Sequence, residues 1–117
     1  MKLHHVNVVV PPGCTGDVVG FYELLGLTRV EKPTEGVAPT GAWFDFPDGT
    51  QQLHVSERTG GTNPEQHFAV VVAQLDRLVT LLRDEGHPFQ RKHDLNGARR
   101  GMTADPCGNA VELIEAG

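Results

Sequence analysis

The segment Asp105-Pro106-Cys107-Gly108-Asn109-Ala110-Val111-Glu112-Leu113-Ile114-Glu115 joins a Pro-X-Gly turn to an apolar run with one acid, Glu112, set inside it. The run reads as the last strand of the chain. A carboxylate buried among Ala110, Val111, Leu113 and Ile114 is costly unless a partner, a metal or water meets it. Three histidines, His5, His54 and His67, sit within or at the start of other apolar, strand-like runs. The expectation is that these four side chains come together.

Working outward, Leu3 to Val10 reads as a first strand whose side-chain alternation puts His5 and Asn7 on one face and Val6, Val8 and Val10 on the other. Pro11-Pro12-Gly13 stops it. Val18, Phe21, Tyr22 and Leu25 recur at helical spacing up to Gly26. Leu27 to Glu31 reads as a short strand, followed by a loop over Pro33 to Pro39. Gly41 to Phe46 is the next strand, and Pro47-Asp48-Gly49 turns it into Gln51 to Ser56, with Gln52, His54 and Ser56 on one face. After a polar stretch with Gly60-Gly61 and Asn63-Pro64 the pattern restarts. His67 to Val72 is a strand, and Leu75, Leu78, Val79 and Leu82 form the stripe of a helix ending at Gly86. Pro88 to Lys92 is a short strand, a loop runs through Asn96-Gly97, and Arg99 to Asp105 leads into the final turn.

Both halves therefore read β-α-β-β-β, a tandem repeat of about sixty residues. Module one spans 1–56, a linker 57–65 and module two 66–117. His5 opens the first strand of one half as His67 opens that of the other. His54 follows Phe46-Pro47-Asp48-Gly49 as Glu112 follows Asp105-Pro106-Cys107-Gly108. The intervals after glycine differ by one residue, which a bulge could absorb.

Composition narrows the function. With 117 residues, 38% hydrophobic and 21% charged, the chain fits one compact domain and carries no apolar run near membrane-spanning length. Met1-Lys2-Leu3 leads straight into the first strand, which predicts no secretory signal and a cytoplasmic protein. Two cysteines, Cys14 and Cys107, read as free thiols. A net charge of −5 excludes nucleic acid as the expected partner and leaves a small molecule.

Four stretches together resemble the vicinal-oxygen-chelate superfamily, which includes glyoxalase I, fosfomycin-resistance proteins, extradiol dioxygenases, methylmalonyl-CoA epimerase and bleomycin-resistance proteins. They are Leu3-His4-His5-Val6-Asn7-Val8, Phe21-Tyr22-Glu23-Leu24-Leu25-Gly26-Leu27, Gln52-Leu53-His54-Val55 and Asp105 to Leu113. The resemblance implies an α+β fold of tandem βαβββ modules forming a cupped mixed sheet, with a divalent ion on the concave face. Its ligand positions fall on His5 and His54 in half one, and on His67 and Glu112 in half two. Imidazole and carboxylate donors suit Zn, Mn, Fe, Co or Ni.

The implied activity is glyoxalase-like isomerase or lyase chemistry, with Glu112 or His54 moving a proton. Extradiol-type dioxygenation, for which His5, His67 and Glu112 would suffice, is one alternative; a non-catalytic, bleomycin-resistance-like binding protein is the other. Asn7 stands where the fosfomycin group has threonine, and no glutathione-binding signature is present. A homodimer is expected.

Glu112 could instead pair with Arg99 or Arg100. Asn7, Gln52, Trp43, Phe44, Phe46 and Met102 are candidates for the cup wall. His4, pointing away from His5, is expected to take no part, and neither are His87 and His93.

Overall fold

The computed structural model describes residues 1–63 and 65–117; Pro64, in the expected linker, lies outside the described residues. The chain divides into two compact units, Met1–Thr62 and Asn63–Gly117. The first holds β1 (His5–Val10), α1 (Thr15–Leu24), β2 (Thr28–Val30), β3 (Ala42–Asp45) and β4 (Gln52–Glu57). The second holds β5 (His67–Val72), α2 (Leu75–Asp84), β6 (Gln90–Leu95), β7 (Ala98–Ala104) and β8 (Ala110–Glu115). The α+β class and the repeated βαβββ order are as the sequence predicts.

Each unit forms a four-stranded mixed sheet, in the order β1-β4-β3-β2 in one and β5-β8-β7-β6 in the other. In both, the first and last strands pair in parallel and the remaining pairs are antiparallel. Branched valines at positions 8–10 and 70–72 favour the extended backbone, and Pro11-Pro12, lacking N–H groups, ends β1.

Strand alternation then divides the sheet faces. In unit one Val10, Ala42, Phe44, Leu53 and Val55 are buried together with Val18, Phe21 and Tyr22 of α1. The Tyr22 and Phe44 rings lie 5.8 Å apart. Each such large side chain contributes about 1.5–3 kcal/mol by leaving water. Phe44, expected as a wall candidate, is thus core. In unit two Val111 and Leu113 are buried, as are Leu75, Val79 and Leu82 of α2.

Neither helix caps itself: Cys14 and Gln74, at the two N-caps, make no side-chain cap bond. The last strand of each unit supplies the acceptor instead. Glu57 accepts from the Gly13 N–H at 2.9 Å and from the Thr15 hydroxyl at 2.6 Å. Glu115 accepts from the Leu75 N–H at 3.0 Å. A carboxylate at a helix N-terminus also opposes the positive end of the helix dipole. Glu57, expected in the linker, is the final residue of β4.

Two further boundaries differ from expectation. The strand expected over Pro88 to Lys92 begins at Gln90 and runs to Leu95, and Asn96-Gly97 is a tight hairpin turn into β7, not part of a loop. Both turn residues have positive φ, 50° and 81°, which Asn and Gly tolerate best. The one-residue difference between the halves is absorbed by the turn and not by a bulge. Phe46 N–H bonds to the Gln51 carbonyl, whereas Asp105 N–H bonds to the Asn109 carbonyl, one residue sooner. Within the shorter turn, buried Asp105 accepts from the backbone N–H groups of Cys107 and Asn109 at 2.8 and 3.0 Å. These turns set the register of the strands that carry His54 and Glu112.

Candidate functional site

In unit one, the parallel β1–β4 register sets His5 opposite Gln52, Asn7 opposite His54 and Val9 opposite Ser56. The antiparallel β3–β4 register sets Trp43 opposite His54 and Asp45 opposite Gln52. Registered neighbours share a sheet face, so His5, Asn7, Trp43, Asp45, Gln52, His54 and Ser56 all lie on the face away from α1. His54 sits between two rings. Trp43 stacks on it at 3.9 Å and 2°, and His5 at 4.0 Å and 16°.

His54 is 8% exposed. Burial, reinforced by the nearby His5, His4 and Lys32, pulls its pKa down from 6.5 to about 4. The ring is therefore neutral at pH 7, the state a metal ligand requires. Its Nε2 lies 2.9 Å from Gln52 Oε1, and the Gln52 amide donates to Asp45 Oδ1, also at 2.9 Å. Beside it the Ser56 hydroxyl donates to Asn7 Oδ1 at 2.7 Å. His4, expected to point away, instead sets its Nδ1 3.0 Å from that of His5. The strand begins at His5, so its alternation does not govern His4.

Unit two builds the matching positions differently. Glu112 is the third residue of β8, as His54 is the third of β4, and it registers with Ala69 and Met102. It is 8% exposed. His67 Nε2 lies 3.1 Å from Glu112 Oε1, and Arg100 Nη1 lies 3.7 Å from Oε2. The other His67 ring nitrogen, Nδ1, lies 3.4 Å from the Glu65 carbonyl oxygen. Arg99, the other arginine considered for Glu112, pairs with Asp76 at 2.5 Å and with Glu115 at 3.3 Å.

Each unit thus brings together two of the four predicted side chains, His5 with His54 and His67 with Glu112. The latter pair has the spacing a cation needs. Two donors bound to one ion by bonds of about 2.1 Å lie about 3.0–3.4 Å apart. Both His67 ring nitrogens face oxygen atoms, Nε2 that of the Glu112 carboxyl group and Nδ1 that of the Glu65 carbonyl. The sequence reading missed Asp45 and the contact of His4 with His5. Asp45 was legible in principle, because alternation along Ala42-Trp43-Phe44-Asp45 puts it on the face of Trp43.

The sequence matches the family model of the Glyoxalase/Bleomycin resistance protein/Dioxygenase superfamily over residues 2–113. The chain belongs to that superfamily, whose members include lyases and dioxygenases, bind small molecules and typically use a divalent metal. Among solved structures it is similar to a glyoxalase family protein from Bacillus anthracis, at 28% identity and a TM-score of 0.88, covering 100% of this chain and 96% of that one. A glyoxalase/dioxygenase from Nostoc punctiforme shares 25% identity at a TM-score of 0.78, covering 99% and 91%. Lactoylglutathione lyase from Agrobacterium tumefaciens shares the fold at 20% identity and a TM-score of 0.72, covering 98% and 93%. No curated protein matches the sequence. Among the described residues, no helix is long and apolar enough to cross a membrane.

Proposed function

We propose that this protein is a metal-dependent enzyme of the glyoxalase type, a lyase or isomerase of small molecules with oxygens on adjacent carbons. The observation that carries the reading is the His67 Nε2 and Glu112 Oε1 pair, two hard-to-borderline donors 3.1 Å apart on a buried carboxylate. His5, His54, His67 and Glu112 are the residues that would hold the ion, whether one chain or two copies of a homodimer supply them. Zn, Mn, Fe, Ni and Co all suit this donor set. When bound, such an ion polarises the substrate oxygens and stabilises the anion that forms as a proton leaves carbon.

Of the two candidates for that proton, Glu112 is the better carrier. His54 is covered on both ring faces and engaged at Nε2, whereas the contact of Glu112 Oε2 with Arg100 is a long one, at 3.7 Å. Asn7, Ser56 and Met102 share the site faces and would bind and orient the substrate. The cytoplasm, where such small metabolites are found, is the proposed location.

Arg100 favours a second reading. A guanidinium already beside Glu112 can balance its charge without metal, which suits a binding protein. Metal analysis of protein purified without chelators, with melting temperatures measured with and without Zn²⁺, Mn²⁺, Ni²⁺ or Fe²⁺, separates the two. Bound metal and a raised melting temperature support the enzyme; no metal and no shift refute it. Aerobic turnover of catechol with Fe²⁺, and none of a hemithioacetal, would move the assignment to a dioxygenase.

A further inference from the structure

Behind His54, on the same face of unit one, runs a polar chain with a fixed direction. Asp45 as a carboxylate only accepts hydrogen bonds. Its Oδ1 is 2.9 Å from Gln52 Nε2, so the amide must turn its NH₂ toward Asp45 and its oxygen toward His54. Gln52 Oε1, 2.9 Å from His54 Nε2, likewise only accepts, so the ring proton must sit on Nε2. A neutral imidazole with its proton there carries its lone pair on Nδ1. Neither link can reverse while Asp45 remains ionised.

The ring is also held in place mechanically. Trp43 and His5 lie parallel to it on opposite faces at 3.9 and 4.0 Å. Turning the imidazole about its bond to Cβ would sweep its atoms through both neighbours. The register supplies all the participants: Asp45 faces Gln52 across the β3–β4 ladder, and Gln52 precedes His54 by two residues on one face of β4. Asp45 and Gln52 are polar groups spent on orientation.

We infer that Asp45 and Gln52 are positioning residues that lock His54 in the Nε2–H tautomer and so make Nδ1, not Nε2, the atom it offers to a metal ion. The tautomer stands on hydrogen bonding alone, whereas the use of Nδ1 as a ligand atom rests on the metal reading proposed above. Outer partners of this kind fix the tautomer of ligating histidines, and removing them costs about 10–100-fold in metal affinity.

The two parts separate experimentally. Long-range ¹H–¹⁵N correlation spectra of ¹⁵N-labelled, chelator-treated protein at pH 7.5 report which His54 nitrogen carries the proton. The wild type should show a protonated Nε2 and an unprotonated Nδ1. Gln52→Met keeps the side-chain length but removes both hydrogen bonds, and should leave a mixture of tautomers. Asp45→Asn, a milder change that lets the amide chain reverse, should do the same. A wild-type ring protonated on Nδ1, or a tautomer unchanged in both variants, would overturn the inference.

Titration calorimetry with Zn²⁺ and Mn²⁺ follows. The expected result is a 10–100-fold weaker affinity in both variants. Full affinity in both, with their tautomers shifted, would overturn the role of Nδ1. If neither metal binds the wild type while the tautomer is as stated, the metal reading fails, the ligand role of Nδ1 falls with it, and the positioning of His54 stands.

Discussion

Replacing Glu112 with methionine should leave the metal-free protein close to wild-type stability while abolishing stabilisation by metal. The side chain is 8% exposed and flanked in register by Ala69 and Met102, so its ionised carboxylate has lost most of its water. That loss costs several kcal/mol. Against it stands Arg100 at 3.7 Å, an attraction of about 4 kcal/mol at an effective dielectric constant near 20. The two nearly cancel, so an apolar side chain of similar length, with Arg100 free to hydrate, should change the melting temperature of the apo form by only a few degrees. Metal is different. At a free concentration 100 times Kd, a single bound ion adds about 2.7 kcal/mol. For 117 residues, at about 2.1 cal/mol/K of unfolding entropy each, 1 kcal/mol corresponds to about 4 °C. The wild type should therefore melt about 10 °C higher with saturating Zn²⁺ or Mn²⁺, and Glu112→Met should not move. Differential scanning calorimetry with chelator or with metal gives all four melting temperatures. Equal metal-induced shifts in both proteins would refute Glu112 as a ligand, and an apo variant that fails to fold would refute the balance of burial against pairing.

The His54 pKa gives a pH dependence in chelator. Because the folded value is depressed to about 4, the unfolded chain takes up the proton first. Stability should hold above about pH 6.5 and fall as pH drops toward 4, by about 2 kcal/mol after allowance for residual hydration. Urea melts of wild type and His54→Gln across that range should show the variant losing less; parallel profiles would rule His54 out. Thr103 is 3% exposed, and its hydroxyl has no hydrogen-bond partner among the described residues. Thr103→Val should therefore be neutral or stabilising by up to about 1 kcal/mol, and a lower urea midpoint would mean the hydroxyl is satisfied. Gly101 presses against β6. A Cβ there would lie 2.5 Å from the Gln90 carbonyl oxygen and closer still to the Phe89 ring. Gly101→Ala should cost about 1–3 kcal/mol, readable as a lower melting temperature, and an unchanged value would show that the hairpin can yield.

Much of the fold was legible because strands with one buried face advertise it by alternation. His54 between Leu53 and Val55, and Glu112 between Val111 and Leu113, could face only one way once the apolar neighbours were assigned to the core. The hairpin was less legible. All six residues of β6 are exposed, so no apolar alternation marks the strand, and only Asn96-Gly97 betrayed the turn. The helix caps were illegible for another reason. Glu57 and Glu115 lie 42 and 40 residues from the helix residues they serve, and no local pattern announces such a bond. Phe44 and Trp43 show the limit of residue type as a guide. They are adjacent aromatics in one strand, yet Phe44 is fully buried and Trp43 stacks on His54.

The two units reuse one scaffold, and two positions on their last strands bear comparison. The sixth residue of the last strand is glutamate in both, and in both it accepts hydrogen bonds at the start of the helix. That choice follows from the backbone, since each helix presents unpaired N–H groups at its start. The third residue of the same strand is imidazole in one unit and carboxylate in the other, and its surroundings are inverted to match. His54 is backed by acceptors, Gln52 Oε1 and behind it Asp45, and stacked between two rings, where burial favours its neutral form. Glu112 is met by His67 and Arg100, at 3.1 and 3.7 Å. Packing alone would not require opposite partners at equivalent positions. A neutral imidazole at His54 and carboxylate oxygens at Glu112 match the separate roles proposed for the two residues, metal ligand and proton carrier.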